Sequence, residues 1–268
     1  MAKVHVLATG ETIPLSGGAP TSQYLAFLSE TELVAVSDNG DVILLTVVGA
    51  GQAQQRQLKG LDGLALTVAV SRDRRLIAAG NERGDVIIWD ARSFEAQRTL
   101  RGLGGPAVHL AFNREGTELA AVTNAPADRP KVIVWDVASG NRRTTYSGHK
   151  APVTALAMLA GADLVASASS DGSLKFWQAA SGEEVRTMTA PANQGWYSSL
   201  AFSPDGQLMV TGSLDGQVAF WKATNGERLS SVDLGLTGSI LGLAFRPDGG
   251  QLAVATRDGG VVLLEPTK

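Results

Sequence analysis

The sequence predicts an all-β protein built from one repeated four-stranded unit, and three observations carry that prediction. A phrase of β-formers closing on tryptophan returns along the chain as Asp85-Val86-Ile87-Ile88-Trp89-Asp90, Lys131-Val132-Ile133-Val134-Trp135-Asp136, Ser173-Leu174-Lys175-Phe176-Trp177 and Gln217-Val218-Ala219-Phe220-Trp221. With degenerate copies ending at Leu45 and Leu264, the closing residues lie 44, 46, 42, 44 and 43 positions apart. A fixed period in that range marks a stack of identical supersecondary units. Each unit also breaks into short β-prone runs bounded by Gly, Asp and Ser. No segment sustains the apolar period of about 3.6 residues that a helix needs.

One unit shows the elements in order. Val153–Met158 is a short apolar run, Gly161-Ala162-Asp163 turns, and Leu164–Ser169 alternates. Ser170-Asp171-Gly172 turns again before the run 174–177, and Ala180-Ser181-Gly182 leads into a more polar run at 183–188. Asp-Gly and Ser-Gly pairs favour tight hairpins because glycine tolerates the positive φ such turns require. The other units keep the same first turn, as Ser203-Pro204-Asp205-Gly206, Arg246-Pro247-Asp248-Gly249 and Asn113-Arg114-Glu115-Gly116. The first three runs are apolar and the fourth is polar enough for an outer edge, which suits sheets arranged radially.

Composition narrows the function classes. The 268 residues carry a formal charge of -3, which gives no electrostatic reason to expect nucleic acid or an anionic membrane as partner. The absence of cysteine excludes disulfides, thiolate metal sites and a cysteine nucleophile. The N-terminus lacks the apolar core of a secretory signal, and no apolar run approaches the roughly 20 residues that span a bilayer. A soluble, cytoplasmic, monomeric domain is expected if Met1 is the natural start.

No metal or cofactor is expected. His5, His109 and His149 lie in different units, and neither a Gly-x-Ser-x-Gly elbow nor a Walker loop occurs. Gly49-Ala50-Gly51 and Gly102-Leu103-Gly104-Gly105 read as turns between strands.

The Trp-Asp pairs at 89–90 and 135–136, Gly148-His149, and Ser-Pro-Asp-Gly turns followed by Asp-Gly-x-x-x-x-Trp resemble the WD-repeat (WD40) β-propeller family, from about residue 11 to 266. The resemblance implies radial four-stranded blades and a structural hydrogen-bonded tetrad of His149, Ser167 or Ser169, Asp171 and Trp177. It gives Trp89, Asp90, Trp135, Asp136, Trp221 and Asp215 structural roles as well. Departures are substantial: Asn39, Arg83 and Arg129 stand where other units have the turn Asp, and Leu45 and Leu264 replace Trp. Such a divergent member relies more on packing than on the tetrad.

The last unit stops at Leu264-Glu265-Pro266, after its third strand. Leu15 precedes Phe27 by 12 residues, the interval from Leu58 to Val70 and from Leu100 to Phe112. Residues 11–15 are therefore expected to supply the missing strand and close a single domain, 1–268, as a six-bladed ring. Residues 3–8 followed by Thr9-Gly10-Glu11 also read as a third strand and its hairpin, so a seven-bladed ring, incomplete here, is the alternative.

Asp171, Asp215 and Asp258 recur at one place in successive units. A catalytic ring around the channel is one reading. Caps of their own tight turns is the favoured one, because three units replace Asp without other change. Function is then sought in loops that do not repeat, since binding residues concentrate on loops held by a rigid scaffold. Trp196 and Tyr197 are adjacent aromatics between units, of the types enriched at interface hot spots. The stretch 124–130 is longer than its counterparts and contains two prolines, so it presents Asp128 and Arg129 with little ordering cost. Glu82, Lys150 and Arg257 occupy equivalent rim positions.

The expected function is a non-catalytic scaffold that docks a protein or peptide on this loop face. The alternatives are a sensory or regulatory propeller of a larger bacterial signalling protein, and a propeller enzyme or small-ligand binder using the central channel.

Overall fold

The structure, a computed structural model, describes residues 3–6, 11–14, 25–29, 31–37, 39–49, 52–125, 129–159, 163–190, 196–235, 238–258 and 260–265. It is all-β, with 25 strands among these residues and six blades of the β-propeller type. Among the described residues no helix is long and apolar enough to cross a membrane.

A hairpin comes first, β1 (Lys3–Val6) pairing antiparallel with β2 (Glu11–Pro14). Blade 1 is β3 (Leu25–Phe27), β4 (Glu32–Val36), β5 (Val42–Gly49) and β6 (Gln52–Gln57). Blade 2 is β7 (Ala65–Val70), β8 (Leu76–Asn81), β9 (Val86–Asp90) and β10 (Ala96–Leu100). Blade 3 is β11 (Ala107–Phe112), β12 (Glu118–Thr123), β13 (Lys131–Asp136) and β14 (Arg142–Tyr146). Blade 4 is β15 (Val153–Met158), β16 (Leu164–Ser169), β17 (Ser173–Gln178) and β18 (Glu184–Thr189). Blade 5 is β19 (Tyr197–Phe202), β20 (Leu208–Ser213), β21 (Gln217–Lys222) and β22 (Arg228–Asp233). The sixth sheet has three strands, β23 (Ile240–Phe245), β24 (Leu252–Thr256) and β25 (Val261–Leu264). In the described pairings β2 is bonded to β1 and β25 forms the edge of its sheet.

Burial explains why the first three strands had to be apolar. Alternate residues of a strand face opposite sides, so a sheet covered on both faces needs β-formers throughout. The second and third strands of blades 2 to 5 are buried almost end to end, whereas β22 is exposed along its whole length.

The chain divides into two compact units, one of residues 1–125 and 135–141, the other of 126–134 and 142–268. In the first, the core joins Val34, Leu44, Val68, Ile77 and Trp89. In the second, one cluster joins Phe176 and Leu174 of blade 4 to Tyr197, Met209 and Trp221 of blade 5, and another joins Phe220 to Ile240 and Val254 of the last sheet.

Neighbouring blades of the second unit are also tied by side chains of their inner strands. Thr154 Oγ1 donates to the Tyr197 carbonyl at 2.6 Å, and Ser198 Oγ to the Ile240 carbonyl at 2.6 Å. Gly212 shows how close this packing is: a Cβ there would lie 2.4 Å from Ile240 Cγ2, so only glycine lets β20 approach the next sheet.

Candidate functional site

Blade 4 assembles the expected network, and the structure chooses between the two serines. Trp177 Nε1–H donates to Ser167 Oγ at 3.3 Å, and Ser167 Oγ lies 2.8 Å from His149 Nε2. His149 Nδ1 lies 3.2 Å from Asp171 Oδ2. A neutral ring protonated on Nδ1 satisfies both partners, accepting from Ser167 and donating to Asp171. Ser169 serves the loop instead, donating to the Ala151 carbonyl at 2.8 Å.

Burial pushes the His149 ring below its usual range against the pull of Asp171. For Asp171, burial acts upward, but hydrogen bonds from Ser173 and the Lys150 N–H outweigh it and hold the carboxyl at about 2.

Tyr146 extends the network in a way the sequence reading missed. Its ring stacks on Trp177, with centroids 5.0 Å apart and planes 9° apart, and its hydroxyl donates to Glu184. Lys175 Nζ holds the same carboxylate at 3.0 Å. A signal was present: Tyr146 precedes Met158 by the 12 residues that separate Leu58 from Val70, so it fills the slot of a buried strand-end residue.

The other tryptophans of the repeat are likewise interior. Trp89 Nε1–H donates to the Lys59 carbonyl at 2.7 Å and Trp221 Nε1–H to Thr211 Oγ1 at 2.9 Å, while Trp135 is fully buried. The aspartates belong to turns. Asp90 accepts from the N–H groups of Arg92 and Ser93 at 2.9 and 2.8 Å, and Asp136 from Ser139 N–H at 2.7 Å. Asp215 accepts from Ser213 Oγ, and Asp258 from Thr256 Oγ1. Among the described residues no group of three His, Cys, Asp or Glu side chains could hold a metal ion.

The loop face is organised by a bond that recurs. The residue just after the second strand donates its N–H to the carbonyl of the residue just before the first strand. The pairs are Glu82 to Leu64 at 3.0 Å, Ser170 to Pro152 at 2.9 Å, Leu214 to Trp196 at 3.3 Å and Arg257 to Ser239 at 3.0 Å. The bond sets the two residues of each pair side by side. In blade 5 both are apolar and exposed, Trp196 at 43% and Leu214 at 37%.

Tyr197 departs from the expected aromatic pair. It is 4% exposed, packed in the core with its ring edge-on to Trp221, so the exposed partner of Trp196 is Leu214. Trp196 stands on the loop just before β19, whereas Tyr197 opens the strand with its ring in the core. The Tyr197 hydroxyl is buried with no hydrogen-bond partner among the described residues. Tyr197→Phe is accordingly expected to leave stability unchanged or raise it by up to about 1 kcal/mol, whereas Tyr146→Phe lowers it, as urea unfolding would show.

Arg129, Lys150 and Arg257 are exposed on their loops. Glu82 is partly buried and 3.6 Å from Arg83 Nε. Asp128 lies outside the described residues.

The WD domain, G-beta repeat family model matches residues 140–178 and 182–222, the segments that contain the Trp177 and Trp221 strands. These two segments are WD repeats. It is 27% identical over 238 residues to the Periodic tryptophan protein 2 homolog of Dictyostelium discoideum, covering 87% of this chain and 25% of that protein. It is 27% identical over 167 residues to the Ribosome biogenesis protein WDR12 homolog of Chlamydomonas reinhardtii, covering 53% and 38%. It is 31% identical over 96 residues to Eukaryotic translation initiation factor 3 subunit I of Aspergillus fumigatus, covering 36% and 26%. These alignments span between a quarter and two fifths of the relatives' lengths. The full tetrad lies in blade 4, inside the first matched segment.

Proposed function

We propose that this WD-repeat protein is a non-catalytic scaffold that docks a protein or peptide on its loop face, in a soluble cytoplasmic setting. The observation that carries the reading is the exposed Trp196–Leu214 pair. It is an apolar spot on a loop, pinned by a backbone bond to a rigid blade, while the repeated Trp and Asp residues are absorbed into blade interiors and turns. A large aromatic fixed in place binds without a further ordering penalty. The relatives' names point the same way, one being a subunit of a translation initiation factor and another a ribosome biogenesis protein.

The test is affinity capture followed by mass spectrometry, using wild type, Trp196→Ala and Arg129→Ala. A specific set of captured proteins should be lost with Trp196→Ala at unchanged thermal stability. Equal capture by the Trp196 variant would refute this docking face.

A further inference from the structure

We infer that the Trp196–Leu214 spot binds an acidic peptide with one apolar side chain at its centre, an identification that rests on the docking reading above and specifies its ligand. The argument starts from three consecutive blades of the second compact unit. Hydrogen bonds tie β15 to β19 through Thr154 and β19 to β23 through Ser198, so the starts of the three inner strands sit side by side. Lys150 lies three residues before β15, Trp196 just before β19, and Arg257 is bonded through its N–H to Ser239, just before β23. An apolar pair is thereby flanked by a cation on each side.

What these side chains still lack decides the chemistry of the ligand. The carboxylates of the three turns are engaged locally, Asp171 by His149, Ser173 and the Lys150 N–H, Asp215 by Ser213, and Asp258 by Thr256, while Asp233 at the outer edge of blade 5 accepts from the Gly235 N–H. Lys150 and Arg257 are exposed, and neither side chain has a hydrogen-bond or ion-pair partner among the described residues. The donors left over beside the apolar pair are those of the two cations, which carboxylates satisfy, bidentately in the case of arginine. Packed sheets lie about 10 Å apart, so the two cations are on the order of 20 Å apart across three blades. An extended chain of about six residues covers that span. One apolar side chain on Trp196 and Leu214 with carboxylates toward both ends matches the pattern.

The test uses fluorescein-labelled synthetic peptides and anisotropy with the full chain. The peptides have about eight residues, with central Leu flanked by Asp and Glu, the same peptide flanked by Lys, and the acidic peptide with central Ser. The acidic Leu peptide should bind best, the Lys-flanked and Ser-centred ones at least tenfold more weakly, and its affinity should fall as salt rises. Trp196→Ala and Arg257→Glu should each weaken it about tenfold with the melting temperature unchanged. Trp196 is the one exposed tryptophan of the five, so acrylamide quenching of its emission should drop when the peptide binds.

Equal binding of the acidic and basic peptides, no binding of either, or acidic binding indifferent to Trp196→Ala each overturns the proposal. Trp196-dependent binding of the Lys-flanked peptide alone would overturn the acidic ligand and leave the docking reading standing.

Discussion

Trp177→Ala is expected to destabilise the protein by about 3–5 kcal/mol, the range for removing a fully buried aromatic. Trp177 is enclosed, stacks on Tyr146 and donates to Ser167, so its loss opens a cavity and leaves Ser167 without one of its partners. In a chain of this size the melting temperature should fall by roughly 10 °C. Trp177→Phe keeps a ring against Tyr146 and should recover most of the loss. Trp196→Ala, on the surface, should stay within about 0.5 kcal/mol of wild type. Calorimetry on the three variants checks the ordering, and a Trp177→Ala protein that melts like wild type would contradict the packing described for blade 4.

Asp171→Ala is expected to cost about 2–4 kcal/mol near neutral pH, because it strips a charged acceptor from four donors, three of them buried or half-buried. These are the Ser173 N–H at 2.8 Å, the Lys150 N–H at 2.9 Å, the Ser173 hydroxyl and the His149 ring. The same group gives the wild type a defined acid response. The folded carboxyl is held at about 2 against an ordinary 3.8, so its contribution is full above pH 4 and is lost as the pH falls towards 2. His149 adds an earlier step. Its folded value is depressed below 6.5, so the unfolded chain takes up a proton first, and stability begins to decline as the pH drops through that value. Urea midpoints between pH 3 and 8 should show both phases in wild type. In Asp171→Asn the phase below pH 4 should shrink and the one near 6.5 should persist.

The repeat made blade number, strand order and turns readable because every copy repeats the same local instructions. Apolar runs four to six residues long and Asp-Gly or Pro-Asp-Gly turns dictate hairpins wherever they stand. The tetrad was readable for the same reason, except that Ser167 and Ser169 lie two apart on one strand and so face the same side. Only the position of the His149 ring distinguishes them. Tyr146 escaped notice because a single aromatic in a polar outer strand carries no periodic signal, although its slot was defined by spacing.

The candidate site was the least legible part. Trp196 and Tyr197 look alike in sequence, yet one stays on the loop in solvent and the other opens β19 and packs into the core. Leu214, 18 residues away, joins Trp196 through a backbone bond that no local pattern announces.

By itself, then, the sequence determined the architecture, because strand and turn preferences are local and were written out several times. Tertiary structure alone decided which unrepeated side chains reach solvent together, because that depends on contacts between blades. It set Trp196 beside Leu214 with Lys150 and Arg257 on the neighbouring blades, a grouping of residues distant in the chain.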